Sequence, residues 1–126
     1  MKKTFNNLEM VAMVQELRPL LSHRDIVGYA AARNTRVLSR SLTEYTAFRD
    51  RLVEKYGEPE TDGDAGRETG RIVLKMESPK FQEFLNELEP FNVMEHEVEL
   101  MTLKYGDVIG ALSGEEILSI DWMLED

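Results

Sequence analysis

The stretch from Ser22 to Tyr56 constrains this chain most. Apolar residues recur there at the roughly 100° step of an α-helix, which predicts one long amphipathic helix of about nine turns. Val27, Ala30, Asn34, Val37, Ser41, Tyr45, Phe48, Leu52 and Tyr56 fall along one seam, with Leu38, Leu42 and Ile26 on its flanks. The opposite side carries Arg33, Arg36, Arg40, Thr43, Asp50, Arg51 and Glu54. Ser22, with Asp25 three residues on, supplies a start signal, and Gly57 followed by Pro59 supplies the stop. A helix of this length in a 126-residue chain sets the architecture. Its apolar face is long for the remaining elements to cover, so a partner along that face is expected.

The other elements follow from local signals. Thr4 or Asn6 can cap a helix over 7–18, whose Leu8, Met10, Val11, Met13, Val14 and Leu17 go nearly all the way round and so predict burial on several sides. Pro19 ends or kinks it, and a short link makes it an antiparallel hairpin with the long helix. Residues 57–70 are rich in Gly, Pro and acids and read as a loop. Residues 71–76 read as a strand around Ile72 and Val73. Ser78-Pro79 opens a helix carrying Phe81, Phe84, Leu85 and Leu88 on one face, which Pro90 closes. Residues 93–104 alternate as a strand, with Met94, His96 and Val98 on one side and Glu95, Glu97 and Glu99 on the other. Tyr105-Gly106-Asp107 turns the chain, and Ser113 with Glu116 forms a capping box for a last helix running to about Leu124. The class is α+β: an antiparallel helical hairpin with one long helix, packed on a two- or three-stranded sheet of 71–76, 93–104 and residues 2–5, plus two short helices. One domain over 1–126 is expected, with 57–70 as an acidic flexible loop inside it.

Charge is distributed unevenly. Residues 1–57 hold ten Lys/Arg against six Asp/Glu and residues 58–126 hold five against eighteen, for a net charge of −9. A basic and an acidic half on one chain attract each other, within the fold or between subunits. The absence of cysteine removes disulfide and thiolate chemistry and fits a reducing compartment. No apolar run reaches the length of a membrane span, and Asn6, Asn7 and Glu9 interrupt the signal-like start Met1-Lys2-Lys3-Thr4-Phe5, so a cytoplasmic protein is expected.

No residue set spells a reaction, so no catalytic residue and no cofactor is assigned. Glu95, Glu97 and Glu99 on one strand face, with His96 beside them, are the residues a metal site would draw on. A solvated face, or a ladder paired with Lys2, Lys3, Arg71 or Lys75, is the simpler reading, because a metal shell needs convergent ligands of varied geometry. Asp62, Asp64 and Glu68 fail as a helical-hand calcium loop, because Arg67 and Val73 stand where its glycine and its last glutamate belong. Arg33, Arg36 and Arg40, with Arg51 further along, form a basic face that could meet phosphate. Nucleic-acid binders add net basic charge and interleaved aromatics; this chain is acidic and its aromatics are placed on the opposite side, so nucleic acid is not the expected partner. Asn34 and Ser41 interrupt the apolar seam. Asn34 either sets register with a partner helix or bonds a backbone group of its own chain.

Three segments carry a resemblance: AAARNTRVLSRSLTEYTAFRDRLVEKYGE, then GRIVLKMESPKFQEFLNELEP, then the glutamate-rich strand followed by LSGEEILSIDWMLED. They cover most of the chain, and through them it resembles a family of small phage- and prophage-encoded proteins of unknown function. The resemblance implies the company of phage genes and transfers no catalytic residue. The function expected is a non-enzymatic protein–protein interaction or assembly accessory module. It would act as a homo-oligomer or on another phage protein, through Asn34, Val37, Ser41, Tyr45, Phe48 and Leu52. The alternative is a regulatory protein that binds nucleic acid, or a nucleic-acid-binding partner, through the arginine face or by acidic mimicry.

Overall fold

Local capping chemistry sets most helix starts. The computed structural model describes residues 1–61 and 68–126. Asn6 caps helix α1 (Asn7–Leu17) by accepting from the Glu9 N–H, and the Glu9 carboxylate accepts from the Asn6 N–H. Asn7, Met10, Met13 and Leu17 are buried, and Leu8 is exposed. The helix therefore buries one stripe and not several sides, as the all-round apolar pattern had suggested.

The long helix expected over 22–56 is two helices. Arg18–Ser22 forms a 3-10 turn with Pro19 in its first turn, and the chain then extends at His23. Ser22 caps nothing; its hydroxyl donates to the Pro19 carbonyl. Asp25 starts helix α2 (Ile26–Ser41) by accepting from the Val27 N–H. Leu42 is a turn residue, and helix α3 (Thr43–Tyr56) follows. The Thr43 hydroxyl donates back to the Ser39 carbonyl at 3.2 Å, a contact that competes with the helix ladder at this break.

The expected α+β class is what the chain adopts, with helices packed on small sheets. Strand β1 (Lys2–Asn6) pairs antiparallel with a later strand, Glu95–Glu99, in the register Lys2 to Glu99 and Asn6 to Glu95. Residues 71–76 do not join this sheet. Strand β2 (Glu58–Thr61) pairs antiparallel with β3 (Glu68–Val73), so both ends of the expected loop are strand, and β3 lies three residues earlier than the alternation suggested. The segment Glu58-Pro59-Glu60-Thr61 has no apolar alternation, and its proline fits an edge position, so pattern alone could not mark it. The centre of the expected loop, with Asp62 and Asp64, lies outside the described residues.

Helix α4 (Pro79–Asn92) is capped by Ser78 and runs through Pro90, which falls in its last turn and removes one bond without stopping it. The strand expected over 93–104 is β4 (Glu95–Glu99), then a break, then β5 (Leu103–Lys104), which pairs in parallel with β6 (Leu124–Glu125). Between them lie α5 (Tyr105–Val108) and α6 (Gly114–Ser119), the latter with the Ser113–Glu116 capping box, and a 3-10 turn at Asp121–Met123. The last helix is thus shorter than expected.

The chain forms two compact units, residues 1–43 with 94–126, and residues 44–93. The first is built around Met10, Leu17, Leu20, Val27, Leu38, Ile120 and Met123, all fully buried. Burying each such side chain stabilises by about 1.5–3 kcal/mol before entropy is counted. In the second, α3 and α4 run antiparallel through three side-chain links: Tyr45 to Asn92, Phe48 to Phe91, and Lys55 with Tyr56 to Glu87.

Candidate interaction surface

Half of the six residues expected to dock a partner, Asn34, Tyr45 and Leu52, are buried within their own chain. Asn34 is 0% exposed. Its carboxamide nitrogen donates to the Met101 carbonyl at 2.9 Å, and its oxygen accepts from the Met101 N–H at 2.8 Å. The backbone break between β4 and β5 is thereby satisfied by a side chain on α2. Of the two readings of Asn34, the intrachain one describes its bonds. Val37 and Ser41 are half-buried. Tyr45 is buried, and its hydroxyl donates to Asn92 Oδ1 at 2.6 Å. Burial pushes the Tyr45 phenol above its ordinary range, with the Arg49 charge opposing. The Phe48 ring lies 4.1 Å from that of Phe91, and Leu52 is buried. Asn34, Tyr45 and Leu52 are thus packing positions, while Val37, Ser41 and Phe48 keep part of their surface open; the first three of the six in sequence lie on α2 and the other three on α3.

The outward side of α2 is the open surface. Arg33, Arg36 and Arg40 are exposed, and among the described residues none has an ion-pair partner. The expected intrachain pairing of these arginines with the acidic half is therefore not seen there. Arg51 belongs to α3, not to this row, and its Nε donates to the Ala47 carbonyl. Two further residues complete the row: Tyr29, and Ile26, which was expected to widen the apolar seam and is instead exposed. Ile26 is 44% exposed and Tyr29 is 61% exposed. Positions 26, 29, 33, 36 and 40 follow the i, i+3, i+7 spacing of one helix stripe. Tyr29 corrects the expectation that every aromatic sits opposite the arginines; its spacing of four residues from Arg33 is the signal that places it on their stripe. Arg33 to Arg40 spans about 10.5 Å along the axis.

The acidic strand presents a second charged row. Glu95, Glu97 and Glu99 are exposed on one face of the β1–β4 sheet, opposed by Asn6, Thr4 and Lys2. Glu97 pairs with Lys2 at 3.8 Å, and Glu99 pairs with the Met1 amine at 3.3 Å. This is the ladder reading, and both contacts are the exposed kind that contributes little. His96 stands on the other face, opposite Phe5, so strand alternation keeps it away from the three glutamates. Among the described residues no group of three His, Asp or Glu is placed to hold a metal ion.

Two further polar clusters are local. The Tyr56 hydroxyl and Lys55 ammonium both donate to Glu87 Oε1, at 2.7 and 3.2 Å. The Tyr56 hydroxyl, and then Lys55, hold the Glu87 carboxyl below its usual range. Tyr105 donates to Asp121 at 2.7 Å, and that bond raises the Tyr105 phenol. Among the described residues no helix is long and apolar enough to cross a membrane. Comparison of the chain with family models, curated proteins and solved structures finds no match to any of the three.

Proposed function

We propose that this chain is a non-enzymatic protein–protein interaction or assembly accessory module, cytoplasmic and of phage or prophage origin. It docks an acidic partner surface through the outward side of α2. One observation carries the reading. Arg33, Arg36 and Arg40 stand in a row without ion-pair partners among the described residues, in a chain whose net charge is −9. Arginine suits this role because its planar fork pairs bidentately with carboxylates. Exposed Ile26 and Tyr29 extend the same row and give it the mixed apolar and basic character of a docking face.

Fluorescence anisotropy with a labelled glutamate-rich helical peptide tests this. Binding by the wild type that weakens with added salt, and is lost in an Arg33→Glu/Arg36→Glu/Arg40→Glu variant of unchanged circular dichroism, supports the reading. Equal binding by both proteins, or by neither, overturns it.

The second reading, a regulator that binds nucleic acid, draws on the position of Tyr29, which supplies an aromatic beside the arginines. A labelled single-stranded oligonucleotide shifted in a gel with steep salt dependence, by a chain that ignores the acidic peptide, would select it.

A further inference from the structure

Each copy of this chain carries two charged rows that it does not use on each other. Arg33, Arg36 and Arg40 line the outward side of α2; Glu95, Glu97 and Glu99 line the outward face of β4. Among the described residues no ion pair joins them. Both rows belong to the unit of residues 1–43 and 94–126. Within it, the buried side of α2 is bonded through Asn34 to Met101, just after β4, and β4 buries Val98 on the side away from its glutamates. The two rows therefore look outward from opposite sides of one unit.

They also match in number and pitch. Same-face side chains on a strand repeat about every 6.6 Å, so the glutamate row spans about 13 Å. The arginine row spans about 10.5 Å on its helix, and flexible arginine stems cover the difference. We infer that the acidic surface docked by α2 is the glutamate row of β4 in a second copy of this chain. This rests on the docking role of α2 given above and names its occupant.

The symmetry follows. A contact between two different surfaces on opposite sides of a subunit is head-to-tail, so each copy keeps one free row and addition continues until a ring closes or a filament grows. The Lys2–Glu97 contact and the Met1 amine–Glu99 contact do not block the row, because both carboxylates stay exposed, and among the described residues Glu95 has no ion pair. The net charge of −9 on each copy opposes association at long range, but screening at physiological salt limits that repulsion to about 8 Å and leaves row-on-row contact as the main term.

Sedimentation velocity on the full chain tests the inference with two variants. One is Arg33→Ala/Arg36→Ala/Arg40→Ala, and the other Glu95→Ala/Glu97→Ala/Glu99→Ala. The wild type is expected to form species larger than a dimer, shifting to monomer with added sodium chloride. Each variant alone is expected to be monomeric, and an equimolar mixture is expected to give a dimer and nothing larger, because only one intact interface can form. Should the triple glutamate variant lose its circular dichroism signal, Glu95→Lys serves in its place, with the same outcome. A wild type that stays monomeric into the high micromolar range overturns the inference, as does either variant assembling like the wild type. If that monomeric wild type still binds the glutamate-rich peptide, the docking face of α2 stands and only self-association falls. If it binds nothing, both fall.

Discussion

The side chain of Asn34 serves the backbone of Met101 as a neighbouring strand would, taking its N–H at 2.8 Å and giving a donor to its carbonyl at 2.9 Å. Replacing Asn34 with Leu keeps the volume of a core residue but leaves both Met101 groups without those bonds. The expected loss is about 2–4 kcal/mol, since each buried polar group stranded this way costs about 1–3 kcal/mol. Urea denaturation should show a lower midpoint with an unchanged slope. An unaltered midpoint would mean that water or another group replaces the carboxamide.

Gly28 sits where the His23 carbonyl crosses the first turn of α2. A methyl group added at Gly28 would overlap that carbonyl oxygen, a backbone atom that cannot swing aside. Gly28→Ala gains about 1 kcal/mol of helix propensity. The forced shift of the 3-10 turn and its connection should exceed that, for a net loss of about 1–2 kcal/mol. Thermal unfolding monitored by circular dichroism measures it; a rise in Tm would show that the connection yields freely.

Phe48 separates two uses of α3. As a docking residue, Phe48→Ala would shrink an assembly and leave the subunit stable. Its ring lies 4.1 Å from Phe91, so the variant should instead lose stability by about 1–3 kcal/mol, less than for a fully buried phenylalanine because Phe48 is half-exposed. Denaturation and sedimentation on the same sample distinguish the two. A normal midpoint with a smaller particle would restore the docking role.

The Glu87 cluster makes stability depend on pH at both extremes. The Glu87 carboxyl is held below its usual range, chiefly by the Tyr56 hydroxyl and then by Lys55. Its folded pKa is depressed, so its contribution is present above the unfolded glutamate pKa and is lost as pH falls through the folded one. Tyr56 is raised, first by its bond to Glu87, and Lys55 is raised by the same carboxylate. Their contributions are present below the unfolded values and are lost as alkaline pH passes the folded ones. NMR titration should place the Glu87 midpoint below that of an exposed glutamate, and Tyr56→Phe should move it back up. A Glu87 midpoint indifferent to Tyr56→Phe would show that the hydrogen bond does not set it.

The features legible in the sequence were those whose cause lies within a few residues. Asn6, one of two caps offered for the first helix, Ser78 with Pro79, and Ser113 with Glu116 all cap the helices they announce. Asn34 stood out as a polar residue in an apolar seam, but Met101 lies 67 residues away and nothing nearby points to it. The break at Leu42 was invisible because Leu42 continues the seam, and the competing Thr43–Ser39 bond is a matter of geometry, not of pattern. The pairing of Glu58–Thr61 with Glu68–Val73 was hidden by acid-rich composition. The candidate face was missed for a related reason. A seam is read for what it can bury, so Ile26 counts toward its flank and Tyr29 toward neither side until the buried stripe of α2 leaves both exposed.

The order in which the ribosome delivers these pieces differs from the order in which they can finish. Strand β1 emerges first, yet its partner Glu95–Glu99 comes after the whole of residues 44–93 has been made. Those intervening residues form a contiguous unit. The helices α1 and α2, by contrast, keep part of their apolar surface uncovered until residues 94–126, about the last quarter of the chain, arrive, which makes that interval the one in which a nascent copy most needs shielding from aggregation.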